Sequence, residues 1–556
     1  MKRKSWLFAG FCLLVHGNAF GQNWLWVHAL GTANSNTKVE TLKKYNETKL
    51  LVAGSFAAAT LTLGNETLDN AGQDDAFVAI CNENGGYEWA TRIGGAGRDF
   101  TTAVAADHNG NIYVAGNFFS LTLDIGSGTL FNAGESDGFV IKYNADRSIA
   151  WVRAIGTAEV EQITGLEVDA SGNVYVSGHT LDKFTLTAIH TFLTKIDSGN
   201  NLLWTRYGTV IGGSLETTTL AIDNEENLYL AGTLYGSVSF GNNNTLACDT
   251  SYAGFIAKYD ASGVYVQGMA SGQLHKINDL AVDDNSIYAC GELLKYQFGW
   301  GWPLASSAIH LVKYTLDLTA VWHKSAGGQT LGLSLDLAKS VSTDDSSNIY
   351  VAGSFFSDSL WFAGQPLLNV FGINYFYPQV FLFKYSPAGE ELWGKSVGGG
   401  FWDEASAVLA TSDNRLYLGG LFESDAITFG NHTLTNNGMV DSIYVHQRPA
   451  RYGKKTIGFL GRFDGQLTNI RPEAPEFFAP IFPNPANDCF FIPLKRQSGK
   501  LATISIFGAD GRLVKQGRYE AVDQHIRVDA GDVAPGIYFL SIQIDEYVSV
   551  QKLVKI

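Results

Sequence analysis

A short apolar segment recurs seven times along this chain at nearly constant spacing. The clearest copy is Asn111–Gly116, and the cores of the seven copies occupy residues 51–54, 113–116, 175–178, 229–232, 288–291, 350–353 and 417–420. Their final glycines are separated by 62, 62, 54, 59, 62 and 67 residues. Tyrosine and valine in short runs are typical of β-strands. A strand that returns at a fixed period predicts an array of repeated units.

Each unit is predicted to be a four-stranded antiparallel sheet. In the second copy, residues 102–107 form the first strand, an Asn-Gly turn leads into the recurring segment, and residues 139–143 and 151–155 form the third and fourth strands. The third strand recurs seven times, whereas an aromatic residue marks the fourth strand in six copies: Trp89, Trp151, Trp204, Tyr265, Trp322 and Trp393. The seventh unit therefore lacks its last strand.

Residues 24–30 have the character of a fourth strand and precede the first complete unit. Pairing this strand into the last unit would close a ring and remove both open edges of the array. The fold class is therefore predicted to be all-β, a seven-bladed β-propeller of four-stranded antiparallel blades closed by the N-terminal strand. The 61 glycines and the low content of charged residues, 17%, suit this class better than long helices.

The turn and the recurring strand together resemble a known repeat. Residues 107–116 and 169–178 follow the pattern Asp-x-x-Gly-Asn-(Ile/Val)-Tyr-Val-(Ala/Ser)-Gly, which is similar to the bacterial SBBP-type β-propeller repeat. The resemblance extends over about residues 24–467 and implies a propeller fold in an exported protein. It carries over no catalytic residue. Units four and five depart from the pattern, because residues 223–227 and 283–286 lack the turn glycine.

The N-terminus has the pattern of a secretory signal peptide over residues 1–21. Three basic residues at positions 2–4 precede an apolar run at residues 6–15. No later run is long enough to span a bilayer, so no integral membrane segment is expected. The formal charge is −15, or about −18 without the three basic residues of the leader. This charge argues against nucleic acid as a partner.

Four cysteines remain after removal of the leader, at Cys81, Cys248, Cys290 and Cys489. They are scattered, and no CxxC spacing joins any two of them. They are predicted to be small buried apolar residues. A disulfide between Cys248 and Cys290 is left open as an alternative, since an exported protein meets oxidising conditions.

The composition changes near residue 471, where five prolines within 15 residues mark a stiff linker at residues 471–480. Four separated segments then appear in order up to the C-terminus, at residues 481–488, 504–512, 534–540 and 552–556. They resemble the type A sorting domain of type IX secretion, a small β-sandwich. The matching residues are Pro483, Asn484, Pro485, Gly511, Gly536, Tyr538 and Lys552.

This resemblance implies partners and a location. The partners are the type IX translocon and its sortase, and the protein is secreted to the extracellular side, either released or anchored to the outer-membrane surface. The expected domains are the signal peptide at 1–21, the propeller at 22–470, the linker at 471–480 and the sorting domain at 481–556. The mature protein is expected to be a monomer.

The long, unequal insertions between second and third strands are the places where a ligand site is expected. They are rich in aromatic residues in the later units, and exposed rings often bind sugars or peptides. The alternative is that these rings only cover a widened blade. The candidate binding residues, with two from a link between units, are Trp300, Trp302, Trp361, Tyr375, Tyr377, Trp402 and Asp403.

A basic group in the seventh insertion, residues 444–455, is expected to be a solvated loop rather than an anion site. Carboxylates in the links between units, such as Glu216, Asp336 and Glu404, could converge near the axis and serve a glycosidase. The Asp-rich turns lack the spacing of a calcium loop, and no zinc or nucleotide motif occurs, so no metal or cofactor is predicted.

Three functions stay open at this point. The first is a non-catalytic binding or adhesion module for a glycan or a protein. The second is a carbohydrate-active enzyme, hydrolase or lyase, that uses the link carboxylates. The third is a structural surface component. Fold alone does not decide among them, because propellers host many functions.

Overall fold

The computed structural model describes residues 24–33, 35–125, 128–241, 244–299, 302–327, 335–369, 377–411, 415–438, 441–445, 448–453, 455–464, 482–484, 486–493, 501–508, 513–520, 525–544 and 547–555. Every regular element among them is a β-strand, which confirms the predicted all-β class. In this part of the chain, no helix is long and apolar enough to cross a membrane. The chain divides into two compact units, Asn23–Gly465 and a unit that contains Gln466–Ile556.

The strands of the larger unit are, in chain order, β1 (Trp24–Leu30), β2 (Thr37–Asn46), β3 (Lys49–Phe56), β4 (Thr60–Leu63), β5 (Glu66–Asp69), β6 (Asp75–Asn82), β7 (Tyr87–Ile93), β8 (Asp99–Ala106), β9 (Ile112–Phe118), β10 (Thr122–Asp124), β11 (Thr129–Phe131), β12 (Asp137–Tyr143), β13 (Ile149–Ile155), β14 (Val160–Val168), β15 (Val174–Leu181), β16 (Ala188–Ile196), β17 (Leu202–Ile222), β18 (Leu228–Ser239), β19 (Thr245–Tyr259), β20 (Tyr265–Ala270), β21 (Lys276–Val282), β22 (Ser286–Gly299), β23 (Trp302–Thr315), β24 (Ala320–Ala326), β25 (Leu337–Thr343), β26 (Ile349–Phe355), β27 (Ser359–Phe362), β28 (Gln365–Leu368), β29 (Gln379–Tyr385), β30 (Glu391–Val397), β31 (Asp403–Ala410), β32 (Arg415–Phe422), β33 (Ala426–Phe429), β34 (His432–Thr435), β35 (Asp441–Val445), β36 (Arg448–Gly453) and β37 (Ile457–Asp464).

Most of these strands form antiparallel four-stranded sheets, as predicted. The sheet orders are β2-β3-β6-β7, β8-β9-β12-β13, β21-β22-β23-β24, β25-β26-β29-β30 and β31-β32-β37-β1. The third and fourth units differ from the prediction of separate sheets. They are joined into one seven-stranded sheet, β14 to β20, because β17 runs without a break from the last strand of one unit into the first strand of the next.

The glycine that ends each recurring segment lies opposite a β-bulge in the first strand of its unit. Gly116, for example, pairs with Thr101 at the point where the register of β8 skips one residue. A Cβ on Gly116 would lie less than 3.0 Å from the backbone oxygen of Phe100. The same close approach to a backbone oxygen occurs at Gly54, Gly178, Gly232, Gly291, Gly353 and Gly420. Glycine is therefore required by the bulge, where the two backbones come close together.

The turn between the first and second strands is held by an aspartate. In the second unit, the Oδ1 atom of Asp107 accepts hydrogen bonds from the backbone N–H groups of Asn109 and Asn111. The Tyr113 hydroxyl donates to Oδ2 over 3.0 Å, and the Lys142 ammonium lies over the Tyr113 ring. Equivalent Asp–Tyr pairs are Asp169–Tyr175, Asp223–Tyr229, Asp283–Tyr288 and Asp344–Tyr350. These aspartates serve as turn caps, as the sequence predicted.

Successive sheets contact each other through a repeated pair of hydrogen bonds. The Trp151 indole N–H and the Lys142 ammonium both donate to the backbone oxygen of Ser198, in a turn of the next sheet, over 3.1 Å. Trp322 and Lys313 make the same pair of bonds to Pro387. Packing between neighbouring sheets is thus accompanied by a fixed polar contact.

The N-terminal strand β1 pairs antiparallel with β37, from Trp24↔Phe463 to Leu30↔Gly458. The resulting sheet contacts the first sheet of the chain in the same manner as the others. The Trp26 indole donates to the backbone oxygen of Glu83 over 2.9 Å, and the Arg462 guanidinium donates to the same oxygen over 2.7 Å. Trp26 and Arg462 thus take the places of Trp151 and Lys142.

Short hairpins lie between the second and third strands of several units. They are β4-β5, β10-β11, β27-β28 and β33-β34. Alternate residues of each hairpin are buried, for example Leu61 and Leu63 in β4, or Leu360 and Phe362 in β27. The Phe362 ring stacks on that of Phe383 in the third strand, at 3.9 Å between centroids. Each hairpin thus has one face against its sheet and one face toward solvent.

The smaller unit has strands β38 (Cys489–Pro493), β39 (Leu501–Gly508), β40 (Leu513–Glu520), β41 (His525–Asp529), β42 (Gly536–Ile544) and β43 (Tyr547–Lys555). They form a four-stranded sheet, β40-β39-β42-β43, and a two-stranded sheet, β38-β41. Residues of both sheets share one apolar core, including Phe490, Ile492, Ile504, Val528 and Leu540. Two sheets around one core satisfy the need of each to bury one face.

The four described cysteines are free thiols, so the structure contradicts the alternative of a bridge between Cys248 and Cys290. Cys81 and Cys290 are fully buried, as predicted. Cys248 and Cys489, which were also predicted to be buried, are only partly buried. Burial raises the pKa of the Cys81 thiol to about 12, so this thiol is unreactive at neutral pH. The predicted signal peptide and linker lie outside the described residues.

Candidate functional site

A cavity of about 410 Å³ lies among the first strands of the repeated units, lined by residues of β2, β8, β14, β17, β21, β25 and β31. The bulges described above shape it, because each adds one unpaired residue to its strand. There are seven such unpaired residues, one in each first strand, and all of them line the cavity. They are Glu40, Thr102, Thr164, Thr218, Asn278, Lys339 and Ser406.

Two ion pairs involve lysines that line this cavity. The Lys43 ammonium lies 2.8 Å from Glu167 Oε1, so a residue of the first unit contacts a residue of the third unit. The charge of Glu167 raises the pKa of Lys43, which stays protonated. Lys339 pairs with Glu404 at 2.5 Å. Both lysine side chains remain partly exposed, so these pairs are also solvated.

Two further carboxyl groups line the cavity in different states. Asp279 accepts hydrogen bonds from the Ser340 hydroxyl and the Val341 backbone N–H, both over 3.0 Å. Glu40 makes no hydrogen bond or ion pair with any residue of the described chain. Burial raises the pKa of both Glu40 and Asp279. Of these two carboxyl groups, Glu40 is thus the one that accepts no hydrogen bond from the described residues.

The sequence analysis did not identify these seven bulge residues, although the sequence contains a signal for them. A polar residue stands 14 positions before the final glycine of the recurring segment in six units, and 13 positions before it in the fifth unit. This constant distance to the glycine is hard to recognise in the sequence, because the bulge breaks the alternation of buried and exposed residues. Among the link carboxylates that were expected to converge near the axis, Glu404 reaches the cavity through its ion pair with Lys339.

Among the predicted binding residues, Trp361 has the most distinctive position. It is the third residue of β27, and its side chain is 55% exposed on the solvent face of the hairpin. It pairs with Pro366 across the hairpin, and the exposed Leu368 lies on the same face. The corresponding residues of the other hairpins are Thr62, Asp124 and Thr428. The hairpin therefore does not need a tryptophan at this position for its own packing.

The other predicted aromatic residues lie elsewhere. Tyr377 is buried, and its ring contacts that of Phe401. Trp402 is half-buried, packs edge-on against Phe356, and donates its indole N–H to Glu404 over 3.2 Å. Trp302 is the first residue of β23, at the tip of a long hairpin. Trp300 and Tyr375 lie outside the described residues.

Asp403 clamps the loops around it. It is fully buried, and its carboxylate accepts hydrogen bonds from the Ser424 hydroxyl and the backbone N–H groups of Gly399, Glu423 and Ser424, over 2.6 to 3.2 Å. Asp99 with Ser120, and Asp336 with Ser357, make the same arrangement in other units. Burial raises the pKa of Asp403 to about 7, although these hydrogen bonds oppose the rise.

A pH dependence follows from Asp403. Its folded pKa lies above that of the unfolded chain, so the folded form keeps a proton that the unfolded form loses between about pH 4 and pH 7. Stability should fall over this range by roughly 1.4 kcal/mol per pH unit from this group. Urea unfolding of Asp403→Asn at several pH values should lack this slope. An identical slope in wild type and variant would contradict the assignment to Asp403.

Residues of the predicted basic loop are placed only in part. Tyr444, Arg448 and Arg451 belong to the hairpin β35-β36, and Lys455 is exposed just after it. His446 and Lys454 lie outside the described residues. The hairpin form differs from the loop that the sequence suggested.

The sorting residues also have defined positions. The Tyr538 hydroxyl donates to the backbone oxygen of Ala534 over 2.7 Å, which fixes the entry into β42, where Gly536 also lies. The Asn484 side-chain oxygen accepts from the Val554 backbone N–H over 2.8 Å. Pro483 is exposed and Lys552 belongs to β43, whereas Pro485 and Gly511 lie outside the described residues. Asn484 thus ties the start of this unit to the last strand.

Comparison with known families agrees with both units. Residues 480–556 match the secretion system C-terminal sorting domain, and residues 88–117 match a β-propeller repeat. The chain thus contains a β-propeller repeat and a type IX sorting domain. The sorting domain indicates export and a location at the cell surface or outside the cell.

Individual relatives are distant. An uncharacterized WD repeat-containing protein of Acanthamoeba polyphaga mimivirus is 25% identical over 271 residues, which are 40% of this chain and 19% of the relative. The chain thus spans about a fifth of that relative's length. Sqt1 from Chaetomium thermophilum has a TM-score of 0.37 at 9% identity, with 79% of this chain and 100% of that chain covered. A mutant of NanB sialidase from Streptococcus pneumoniae has a TM-score of 0.34 at 10% identity, with 79% and 70% covered.

Proposed function

We propose that residues 24–464 form a closed ring of seven blades, and that the exported protein acts as a non-catalytic binding module for glycans. The closed ring is supported by the pairing of β1 with β37 and by the repeated contact that Trp26 and Arg462 make with Glu83. A ring without free edges is protected from edge-to-edge aggregation outside the cell.

The binding function rests on the exposed Trp361. A single exposed indole beside Pro366 and Leu368 offers a flat apolar surface with one N–H donor at its rim. Such a surface suits the apolar face of a pyranose ring, whose hydroxyl groups point outward to water. The equivalent hairpins carry short polar residues at this position, so the tryptophan serves no shared packing role.

The link carboxylates favour binding over catalysis. Asp99, Asp336 and Asp403 are buried, and each accepts hydrogen bonds from the loops around it. Glu161 accepts from the Thr157 hydroxyl and backbone N–H, and Glu404 is bound to Lys339. A glycosidase needs two carboxyl groups that are free to face the sugar. These five groups are instead occupied with holding loops and charges.

The test is a glycan array with the labelled mature protein, followed by titration of the strongest ligand. Trp361→Ala should weaken binding by about tenfold or more, as expected for an aromatic anchor. Thr62→Ala, at the equivalent position of the β4-β5 hairpin, is the matched control and should bind as wild type does.

Three results would contradict the glycan proposal. Release of reducing ends from a bound polysaccharide would show an enzyme instead. Capture of a protein partner through Trp361 without any glycan signal would show a protein ligand. Equal binding by Trp361→Ala and wild type would place the site elsewhere.

A further inference from the structure

The central cavity is a second place where a ligand can be held, distinct from the Trp361 hairpin. Its volume of about 410 Å³ falls in the range of small-molecule sites, which is about 300–1,000 Å³. Its wall is polar, because the bulges turn one side chain from each first strand toward it. The question is which chemistry this wall would accept.

Several polar groups of the wall use a donor hydrogen within the protein and keep acceptor oxygens. The Thr218 hydroxyl donates to the backbone oxygen of Ile277, and the Asn278 side-chain amide donates to that of Ala338, both over 2.7 Å. The Thr102 hydroxyl also donates to a backbone oxygen, that of Ala115. The hydroxyl hydrogens of Thr218 and Thr102 and one amide hydrogen of Asn278 are therefore used within the protein, whereas the oxygen lone pairs of these groups remain available.

The charged groups of the wall also favour a ligand that donates hydrogen bonds. Four carboxyl groups belong to this cluster, Glu40, Glu167, Asp279 and Glu404, against two ammonium groups, Lys43 and Lys339. Both lysines are paired with carboxylates, and Asp279 is satisfied by hydrogen bonds. Glu40 makes no hydrogen bond or ion pair in the described chain, and the charges of Lys38 and Lys339 act on it from further away. A half-buried carboxylate that lines a cavity favours a cation that can donate hydrogen bonds.

We propose that the central cavity binds a small organic ammonium ion, whose N–H groups are accepted by the Glu40 carboxylate and the oxygens of Thr218 and Asn278. A bare metal ion fits less well, since no group of three His, Cys, Asp or Glu side chains able to hold one occurs among the described residues. A primary amine needs only one carboxylate and two or three neutral acceptors.

The experiment is isothermal titration of the mature protein with 1,4-diaminobutane. Saturable binding is expected for wild type, and Glu40→Gln should weaken it by about tenfold or more, because a charge-assisted hydrogen bond is lost. Glu66→Gln, an exposed glutamate on β5, is the matched control and should leave the affinity unchanged. Thr218→Val, of nearly the same shape, should weaken binding as well, and it keeps the test open if Glu40→Gln does not fold.

Glucose and calcium chloride complete the set of probes. Binding of either one in place of the amine, or no saturable heat with 1,4-diaminobutane, would overturn the proposal. Equal affinity of the folded Glu40→Gln variant and wild type would also overturn it. Trp361→Ala should bind the amine as wild type does, so failure of this proposal and failure of the glycan proposal are distinguishable.

Discussion

Replacing Gly116 by alanine should destabilise the larger unit by about 3 kcal/mol, the upper part of the range for overpacking a tight site. The added Cβ would press on the backbone oxygen of Phe100 and on the ring of Phe139. The backbone cannot yield as a flexible side chain would, because β8 and β9 are paired on both sides of this point. Urea unfolding followed by tryptophan fluorescence measures the loss.

Gly212→Ala is the control for this substitution. Gly212 lies in β17, and a Cβ there would meet no atom within 4 Å. Its replacement should change the free energy of unfolding by less than about 0.5 kcal/mol, as is usual for surface positions. If Gly116→Ala proved as harmless as Gly212→Ala, the explanation of the recurring glycine by the bulge would be wrong.

The recurring segment could be assigned to scaffold from the sequence alone. Its period and its β-forming residues predicted a repeated strand, and the structure shows that the final glycine is required by a close approach of two backbones, as at Gly116. The Asp turns could also be predicted, since an aspartate at the start of a turn accepts a hydrogen bond from the backbone N–H two residues further on. The recurring strand and the Asp turns both depend on local interactions, and such interactions can be predicted from short sequence motifs.

The cavity could not be predicted, because it depends on register. A bulge inserts one residue into a strand and changes which side chains face inward. Thr102 and Thr164 look like ordinary strand residues, and only the shared distance to the following glycine identifies them. The ion pair between Lys43 and Glu167 joins residues 124 positions apart, and no spacing rule predicts such a contact.

The candidate binding residues were identified by type rather than by exposure. The sequence marks Trp361, Tyr377 and Asp403 equally, although only Trp361 is mostly exposed and the other two are buried. The difference arises from the hairpin β27-β28, whose solvent face carries Trp361 while Leu360 and Phe362 pack inward. A period of two decides which aromatic residues reach solvent.

Deleting residues 24–30 should have the largest effect of all. The deletion removes three buried apolar side chains, Trp24, Val27 and Leu30, which together contribute about 6 kcal/mol at about 2 kcal/mol each. This is comparable with the whole stability of many domains. It also exposes the edge of β37, so the shortened protein should melt at a much lower temperature and aggregate. Differential scanning fluorimetry and light scattering measure both effects.

The closed ring is tested most directly by adding the missing strand back. A synthetic peptide with the sequence of residues 22–32 should bind the shortened protein saturably and raise its melting temperature toward that of the intact protein. A peptide with serine in place of Trp24, Val27 and Leu30 should do neither. If the shortened protein melted as the intact one does, or if the native peptide failed to bind, the N-terminal strand would not close the ring.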